Sequence, residues 1–144
     1  WWGRDGNGVP RLKKFWVESE VGVTPETFWS ASVAGTTLGA KRHLLALFPD
    51  QLVFDTPKPE ALLSRVIHIA SDPGDLVIDA YLVSGTFAAV AHKMGRAWIG
   101  IERGDHAVSL CRERLKRVVD GDGTGMSDEL EWTPGGGFRF MSLA

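Results

Sequence analysis

The sequence predicts an α/β fold in which short parallel strands alternate with helices. Two apolar runs of strand length, residues 76–82 and 97–101, lie between runs whose apolar residues follow helical spacing. A turn containing Ser84, Gly85 and Thr86 joins the first strand to the helix that follows it. Strands that alternate with helices build parallel βαβ units with right-handed crossovers. Because two strands do not form a stable sheet of this kind alone, we expect the missing strands to come from elsewhere.

The composition is typical of one globular domain. Its 144 residues are 44% hydrophobic and 24% charged, and the net charge of −2 gives no overall attraction for nucleic acid. The single cysteine excludes an internal disulfide and fits a reducing compartment, so we expect a cytoplasmic protein. No apolar run approaches the roughly 20 residues of a membrane-spanning helix, so we expect no membrane association. Because the chain begins with Trp1 rather than methionine, we expect a fragment.

The sequence divides into two regions that differ in how regularly their apolar residues recur. Residues 1–50 show little periodicity and are expected to be a loop-rich segment, with a strong turn signal at residues 5–8. One short helix is expected within this segment, over residues 40–48. Residues 51–144 show the regular alternation of an α/β unit.

The α/β region opens with a helix predicted over residues 56–70. Thr56 is a suitable N-cap, the two prolines that follow it fit only a first turn, and Glu60 favours the helix dipole. The strand at residues 76–82 is rich in β-branched residues and is broken by Asp79. This pattern predicts a strand that is covered on both faces.

The later elements follow the same alternation. A helix of small residues is predicted over residues 86–94, and Asp105 is expected to cap the next helix, which places Cys111 in the core. The charged run of that helix is assigned to its solvent face: Arg112, Glu113, Arg114, Lys116 and Arg117. The chain is expected to end in a β-hairpin, with strands at residues 129–133 and 138–143.

A candidate ligand site lies where the two strands end. Ligands of open α/β sheets bind at the carboxyl ends of the strands, where Asp79 and Glu102 are predicted to lie. Ser84, Gly85 and Thr86 would present the N-terminus of a helix beside them. Such a pair of acids suits a ligand that carries both an ammonium group and a ribose. Acids also occur at the strand ends of many unrelated α/β proteins, so spacing alone does not decide between these interpretations.

The order of motifs resembles a known family. TPKP before a helix, then D-x-x-x-x-S-G-T, then WIGIE is similar to the C-terminal half of the β-class DNA adenine amino-methyltransferases. The strongest resemblance is to the modification (Mod) subunits of type III restriction-modification systems. The opening WWGRDGNGVPRLKKF and the closing GGGFRF also resemble segments that flank this core in those subunits. The resemblance covers most of the chain.

The resemblance implies a partial Rossmann-like, S-adenosylmethionine-dependent methyltransferase fold that modifies the 6-amino group of adenine in DNA. It assigns Asp79 and Tyr81 to the methionine end of the cofactor and Glu102 to its ribose. The other residues that it assigns to the cofactor pocket are Thr56, Lys58, Ser84, Gly85 and Thr86.

Two departures from the family pattern bear on activity. The catalytic tetrapeptide, Asp or Asn followed by Pro-Pro and an aromatic residue, is absent from the sequence. That motif holds the flipped base, so we expect no catalytic residue in this chain and no methyl transfer by it alone. Val83 stands where the family's cofactor loop has its first glycine, and Ala80 and Phe87 also depart from it. Because a β-branched residue resists the backbone conformations open to glycine, we expect weak or absent cofactor binding.

Other candidate functions rest on weaker patterns. Basic residues beside aromatic ones near the N-terminus could contact DNA weakly: Arg4, Arg11, Lys13 and Lys14. The four histidines show no metal-ligand spacing, so no metal is expected. A non-catalytic scaffold derived from the same fold is the main alternative, with its sheet edges paired to a second copy or to a restriction subunit. The absence of G-x-G-x-x-G counts against a fragment of a dinucleotide-dependent oxidoreductase.

Overall fold

The computed structural model describes residues 5–8 and 24–142, which form a small α/β unit. Its elements in chain order are α1 (Ala31–Ala34), α2 (Thr37–Leu47), α3 (Glu60–Ala70), β1 (Leu76–Asp79), α4 (Thr86–Lys93), β2 (Ala97–Gly100), a π-helical segment (Ala107–Arg112) and α5 (Glu113–Asp120). None of the described helices combines the length and the apolar content needed to cross a membrane.

The two strands are parallel, and α4 is the crossover between them. Leu76 pairs with Ala97 and Asp79 pairs with Gly100, so the first and last residues of the two strands are paired with each other. The predicted βαβ unit is therefore confirmed. Within the described residues the sheet contains only these two strands.

The first helix of this unit starts later than predicted. It begins at Glu60, with Pro59 at the N-cap in an extended conformation (φ −64°, ψ 142°), so Thr56 is not its cap. A residue that precedes proline is disfavoured in the helical region. Both Thr56 and Lys58 precede prolines, which postpones the first helical turn until the second proline has passed.

Helix α4 lies at the centre of the core. Ala88, Ala89, Val90 and Ala91 have no exposed surface, and their small side chains let neighbouring elements approach closely. One side of α4 packs against Cys111, Leu115 and Val118, and the other packs against Ile67. A separate cluster joins α2 to the segment after it: Leu44, Leu47, Phe48, Val53 and Leu110.

The sheet is covered on one face only, which contradicts the expectation of two covered faces. Val77 and Trp98 pack toward α3 and α4. The opposite face, called the open face below, consists of aliphatic side chains that are 46% to 60% exposed: Leu76, Ile78, Ile99 and Ile101. No described element lies over these side chains, and an aliphatic run in the sequence does not reveal whether a covering layer exists.

The predicted C-terminal β-hairpin is wrong. The first of its strands lies in a series of turns, in which Leu130 N–H donates to Met126 O (3.0 Å) and Trp132 N–H donates to Ser127 O (2.8 Å). The described part of the second strand, residues 138–142, contains no strand. The Trp132 indole donates to the Val118 carbonyl (3.1 Å) and so anchors the segment to α5. Local hydrogen bonds and this anchor replace the cross-strand pairing.

The third predicted helix also begins differently. Residues 107–112 are π-helical before α5 starts, and no side chain caps the segment. Asp105 contributes its backbone carbonyl, which accepts from Val108 N–H (3.1 Å) and Ser109 N–H (3.2 Å). The predicted side-chain cap is therefore wrong, while the position of the helix start is close to the expected one.

Candidate functional site

The two acids predicted from the strand ends do lie at adjacent strand ends. Asp79 is the last residue of β1 and pairs with Gly100, and Glu102 follows two residues later on the neighbouring strand. Ile101 N–H donates to the Asp79 carbonyl (2.8 Å), so the pairing continues to the end of the sheet. The Asp79 carboxylate accepts from Tyr81 N–H (2.9 Å) through one oxygen. The Tyr81 side chain is 83% exposed.

Glu102 connects the second strand end to the turn after β1. Its Oε2 accepts from Val83 N–H (2.7 Å), and its Oε1 accepts from Arg103 N–H (2.7 Å) and Gly104 N–H (3.0 Å). The His106 Nε2 lies 3.3 Å from Oε1. Burial acts to raise the pKa of Glu102, but the three backbone N–H donors and His106 outweigh it and hold the pKa below its ordinary value. Oε2 retains capacity for one further donor.

Residues 83–86, called the Ser-Gly-Thr loop below, require two left-handed residues. Val83 has φ +53° and Gly85 has φ +74°. A Cβ atom on Gly85 would lie 3.2 Å from Cys111 Cα, so glycine is needed there for space as well as for conformation. Val83 occupies the left-handed region with a β-branched side chain, which explains why glycine is expected at this position.

The two hydroxyls of the loop point into the protein. Ser84 and Thr86 are buried, and their hydroxyl oxygens lie 2.9 Å apart. The Arg114 guanidinium donates to Thr86 Oγ1 (2.8 Å) and to the Ser84 carbonyl (3.3 Å). The Gly85 N–H donates to the Leu82 carbonyl (2.9 Å). These side chains therefore hold the loop in shape from behind.

Residues 56–59, called the TPKP segment below, lead into α3. Phe54, two residues before the segment, packs against His106 in a tilted arrangement with ring centroids 5.8 Å apart, and His106 contacts Glu102. Thr56 and Lys58 are exposed, whereas Pro57 is buried. The chain just before the TPKP segment thus lies close to Glu102, and the side chains of Thr56 and Lys58 are directed to solvent.

Sequence reasoning missed a buried ionic cluster behind the loop. The predicted position of Arg114 on the solvent face of its helix is wrong, because Arg114 is 2% exposed and donates to Glu60 Oε1 (2.8 Å). Lys93 Nζ lies 3.3 Å from Glu60 Oε2 and 3.5 Å from Asp122 Oδ1. Spacing could have indicated this, because Arg114 follows the buried Cys111 by three residues and precedes the buried Val118 by four.

Cys111 is a core residue, as expected. It is 2% exposed, and its thiol donates to the Val83 carbonyl (3.0 Å). Burial, followed by the nearby Glu102 carboxylate, raises the pKa of this thiol to about 12. The thiol is therefore neutral near pH 7 and is not a nucleophile.

A cavity of about 590 Å³ opens beside the free edge of β2. Its walls include Trp98, Leu115, Phe138 and Arg112, and Glu102 lies at its border with the strand end. This volume is within the range of about 300–1,000 Å³ typical of small-molecule sites. The four predicted DNA-contact residues, Arg4, Arg11, Lys13 and Lys14, lie outside the described residues. Among residues 5–8 and 24–142 no cluster of side chains could hold a metal ion.

A comparison with known protein families assigns the chain to one of them. Residues 8–113 match the family described as DNA methylase (N6_N4_Mtase). The chain belongs to the DNA methylase family. The matched span includes both strands, the Ser-Gly-Thr loop and Glu102, so the candidate site lies inside it.

Two curated relatives from Haemophilus influenzae are similar to parts of this family member. The probable type III restriction-modification enzyme HindVI Mod subunit is 52% identical over 87 residues, which are 60% of this chain and 12% of that protein. The type II methyltransferase M.HinfI is 43% identical over 63 residues, which are 44% of this chain and 18% of that protein. The chain therefore spans only a small part of the length of these relatives.

These similarities confirm the resemblance to part of the adenine methyltransferases of restriction-modification systems. No solved structure matches the chain, so its assignment to the DNA methylase family rests on sequence similarity. The residues assigned to the cofactor from the motifs remain predictions, and the described structure supplies their geometry.

Proposed function

We propose that this chain is the C-terminal, cofactor-binding part of a site-specific DNA adenine methyltransferase. The whole enzyme would transfer a methyl group from S-adenosylmethionine to the 6-amino group of adenine, on a partial Rossmann-like fold. The observation that carries the proposal is the placement of Asp79 and Glu102 on adjacent strand ends, with Glu102 bonded to the first residue of the Ser-Gly-Thr loop. The matched family and the names of the relatives support the same activity.

The residues present fit the cofactor in charge and in space. Asp79 and Tyr81 would hold its methionine end, where a carboxylate suits an ammonium group. Glu102 would hold its ribose through Oε2, which accepts only one hydrogen bond within the described residues. The cavity beside β2 has room for the rest of a nucleoside. Thr56 and Lys58 would border the same site from the TPKP segment.

Val83 would weaken that binding. Glycine at this position would let a ligand approach the loop backbone closely, whereas Val83 places a branched side chain there, and the loop must keep its left-handed conformation to reach Glu102. The sequence also lacks the Pro-Pro-aromatic motif that would hold the flipped base. We therefore expect DNA to be the substrate of the intact protein, and no methyl transfer by these 144 residues alone.

Isothermal titration calorimetry with S-adenosylmethionine tests the proposal. We expect the natural chain to bind more weakly than micromolar and Val83→Gly to bind about tenfold more tightly, because glycine removes the branched side chain and lets the ligand approach the loop backbone closely. Val83→Ala is the matched control, since it keeps a Cβ atom at the same position, and it should gain little. Micromolar binding by the natural chain would contradict the weakening by Val83. If no variant binds, the cofactor assignment is wrong.

A second candidate function, a non-catalytic scaffold or assembly module, is favoured by the open face. Four aliphatic side chains are exposed together on one face of a two-stranded sheet. Such a surface is typical of a face that another chain covers, either a second copy or a restriction subunit. Absence of cofactor binding in every Val83 variant, together with association through this face, would favour the scaffold over the methyltransferase part.

A further inference from the structure

We propose that Arg114 is a positioning residue, which holds the Ser-Gly-Thr loop and the start of α3, directly after the TPKP segment, in one fixed arrangement. The proposal concerns the two walls of the candidate site. It rests on the proposed function only where the ligand is taken to be S-adenosylmethionine. Arg114 lies behind both walls and is 2% exposed, so it is not itself a cofactor contact.

On the loop side, one end of the guanidinium holds the residues on both sides of Gly85. Its Nη1 donates to Thr86 Oγ1 (2.8 Å) and to the Ser84 carbonyl (3.3 Å). Glu102 holds the start of the same loop through Val83 N–H (2.7 Å). The loop is therefore tied at its first residue by Glu102 and at its last residue by Arg114.

On the other side, the guanidinium holds the residue that follows the TPKP segment. Its Nη2 donates to Glu60 Oε1 (2.8 Å), and Glu60 is the first residue of α3. The other oxygen of Glu60 accepts from Met126 N–H (2.9 Å) and Lys93 Nζ (3.3 Å). One side chain from α5 therefore fixes the distance between the start of α3 and the start of α4.

The chemistry of this position favours arginine over lysine. The planar guanidinium presents donors on separate nitrogens, so it can bond to the loop and to Glu60 at once, whereas an ammonium is a compact point charge. All three side chains are largely buried: Arg114, Glu60 and Thr86 are each less than 7% exposed. Water therefore does not easily replace a bond that is lost.

Hydrogen–deuterium exchange of the loop amides tests the positioning directly. The Val83 and Gly85 amides are hydrogen-bonded in the structure. In Arg114→Lys we expect them to exchange at least tenfold faster than in the natural chain. Leu44→Ala is the control, because it empties a different core cluster and lowers stability without touching the loop. Loop exchange in Arg114→Lys that is no faster than in a control of equal stability would overturn the proposal.

A second pair of variants covers the case in which Arg114→Lys does not fold. Thr86→Val removes the hydroxyl that Arg114 bonds while keeping the shape of the side chain, and Thr86→Ser restores a hydroxyl. We expect faster loop exchange in Thr86→Val and near-normal exchange in Thr86→Ser. Equal exchange in both variants would show that the bond from Arg114 does not hold the loop.

The affinity for S-adenosylmethionine, measured in the Val83→Gly background, tests whether the positioning by Arg114 affects binding of the proposed ligand. Adding Arg114→Lys should weaken binding about tenfold, while adding Leu44→Ala should leave it unchanged. Unchanged affinity in the Arg114→Lys double variant would overturn the role of Arg114 in the site. If the Val83→Gly chain does not bind at all, the proposed function fails, and the exchange measurement alone decides the role of Arg114.

Discussion

At the residue scale, two positions of the Ser-Gly-Thr loop adopt the left-handed backbone conformation. Val83 occupies a left-handed conformation (φ +53°) that suits glycine, and its N–H is held by Glu102. Gly85 needs the same region of φ and also has Cys111 too close for a side chain. The loop thus keeps the shape that glycine allows, although one of its two left-handed positions has a branched side chain.

Stability should report the strain at Val83 independently of any ligand. We expect Val83→Gly to raise the free energy of unfolding by about 1 kcal/mol, because relief of the left-handed strain exceeds the added freedom of the unfolded chain. Urea denaturation measures the change. Val83→Ala should gain less, since its Cβ atom remains. A Val83→Gly chain less stable than the natural one would show that the valine side chain contributes packing that outweighs its strain.

Gly85 and Gly74 form a matched pair for the opposite substitution. Both have positive φ, but a Cβ atom on Gly85 would lie 3.2 Å from Cys111 Cα and one on Gly74 would meet nothing within 4 Å. Gly74→Ala should cost about 1 kcal/mol from backbone strain alone. Gly85→Ala should cost more, because the backbone of Cys111 must also move. Equal losses in urea denaturation would show that space at Gly85 does not matter.

The buried carboxylate of Glu60 makes stability depend on pH. Burial acts to raise the pKa of Glu60, but Arg114, Lys93 and the Met126 N–H outweigh it and bring the pKa below its ordinary value of 4.5. A carboxyl group with a lowered pKa in the folded state stabilises fully above its unfolded pKa, and this stability is lost as pH falls through the folded pKa. We therefore expect the urea midpoint to fall steeply below pH 4.5.

Substitution of Glu60 separates this effect from general acid unfolding. Glu60→Gln should lower stability at pH 7 by about 3–5 kcal/mol, because it leaves the buried Arg114 without its carboxylate partner, and should flatten the acid limb. Asp55→Asn, which removes an exposed partner of Lys41, should leave the profile unchanged. An equally steep acid limb in Glu60→Gln would assign the transition to other carboxylates.

At the element scale, α4 determines how closely the rest of the fold can pack. Its run of Ala88, Ala89, Val90 and Ala91 has no exposed surface, and α3, α5 and β2 all contact this helix. The small side chains were visible in the sequence, but they gave no indication that the helix is enclosed. The enclosure arises because a crossover helix lies between its sheet and the two helices beside it.

A larger side chain in α4 should therefore be disruptive. We expect Ala88→Leu to lower the free energy of unfolding by about 1–3 kcal/mol, because the added methyl groups have no space in a closely packed core. Ala70→Leu is the control, since Ala70 lies exposed at the end of α3. Thermal or urea denaturation measures both. A loss no larger than that of Ala70→Leu would indicate free space around α4.

At the scale of the whole molecule, the described part is an incomplete layer structure. Helices α3 and α4 cover one face of the sheet, and the open face is aliphatic. An open aliphatic face next to unpaired strand edges is a site of association.

Association of the 144-residue chain should depend on this face. We expect Ile78→Glu to shift the chain toward monomer in size-exclusion chromatography with light scattering, because a carboxylate opposes burial of the face. Leu52→Glu is the matched control, since Leu52 is fully exposed but lies outside the sheet. Equal behaviour of the two variants would show that the open face does not drive association.

The sequence by itself determined the order of the elements from α3 to α5, the parallel βαβ unit, the two acids at the strand ends and the unsuitability of valine at position 83. These features depend on local patterns, because apolar spacing, turn residues and motif order are set by neighbours in the chain. Only the tertiary structure decided that Arg114 and Glu60 are buried together, that the sheet has one open face and that residues 129–142 form no hairpin. Each of these depends on contacts between distant segments, since burial and strand pairing are decided by what packs alongside.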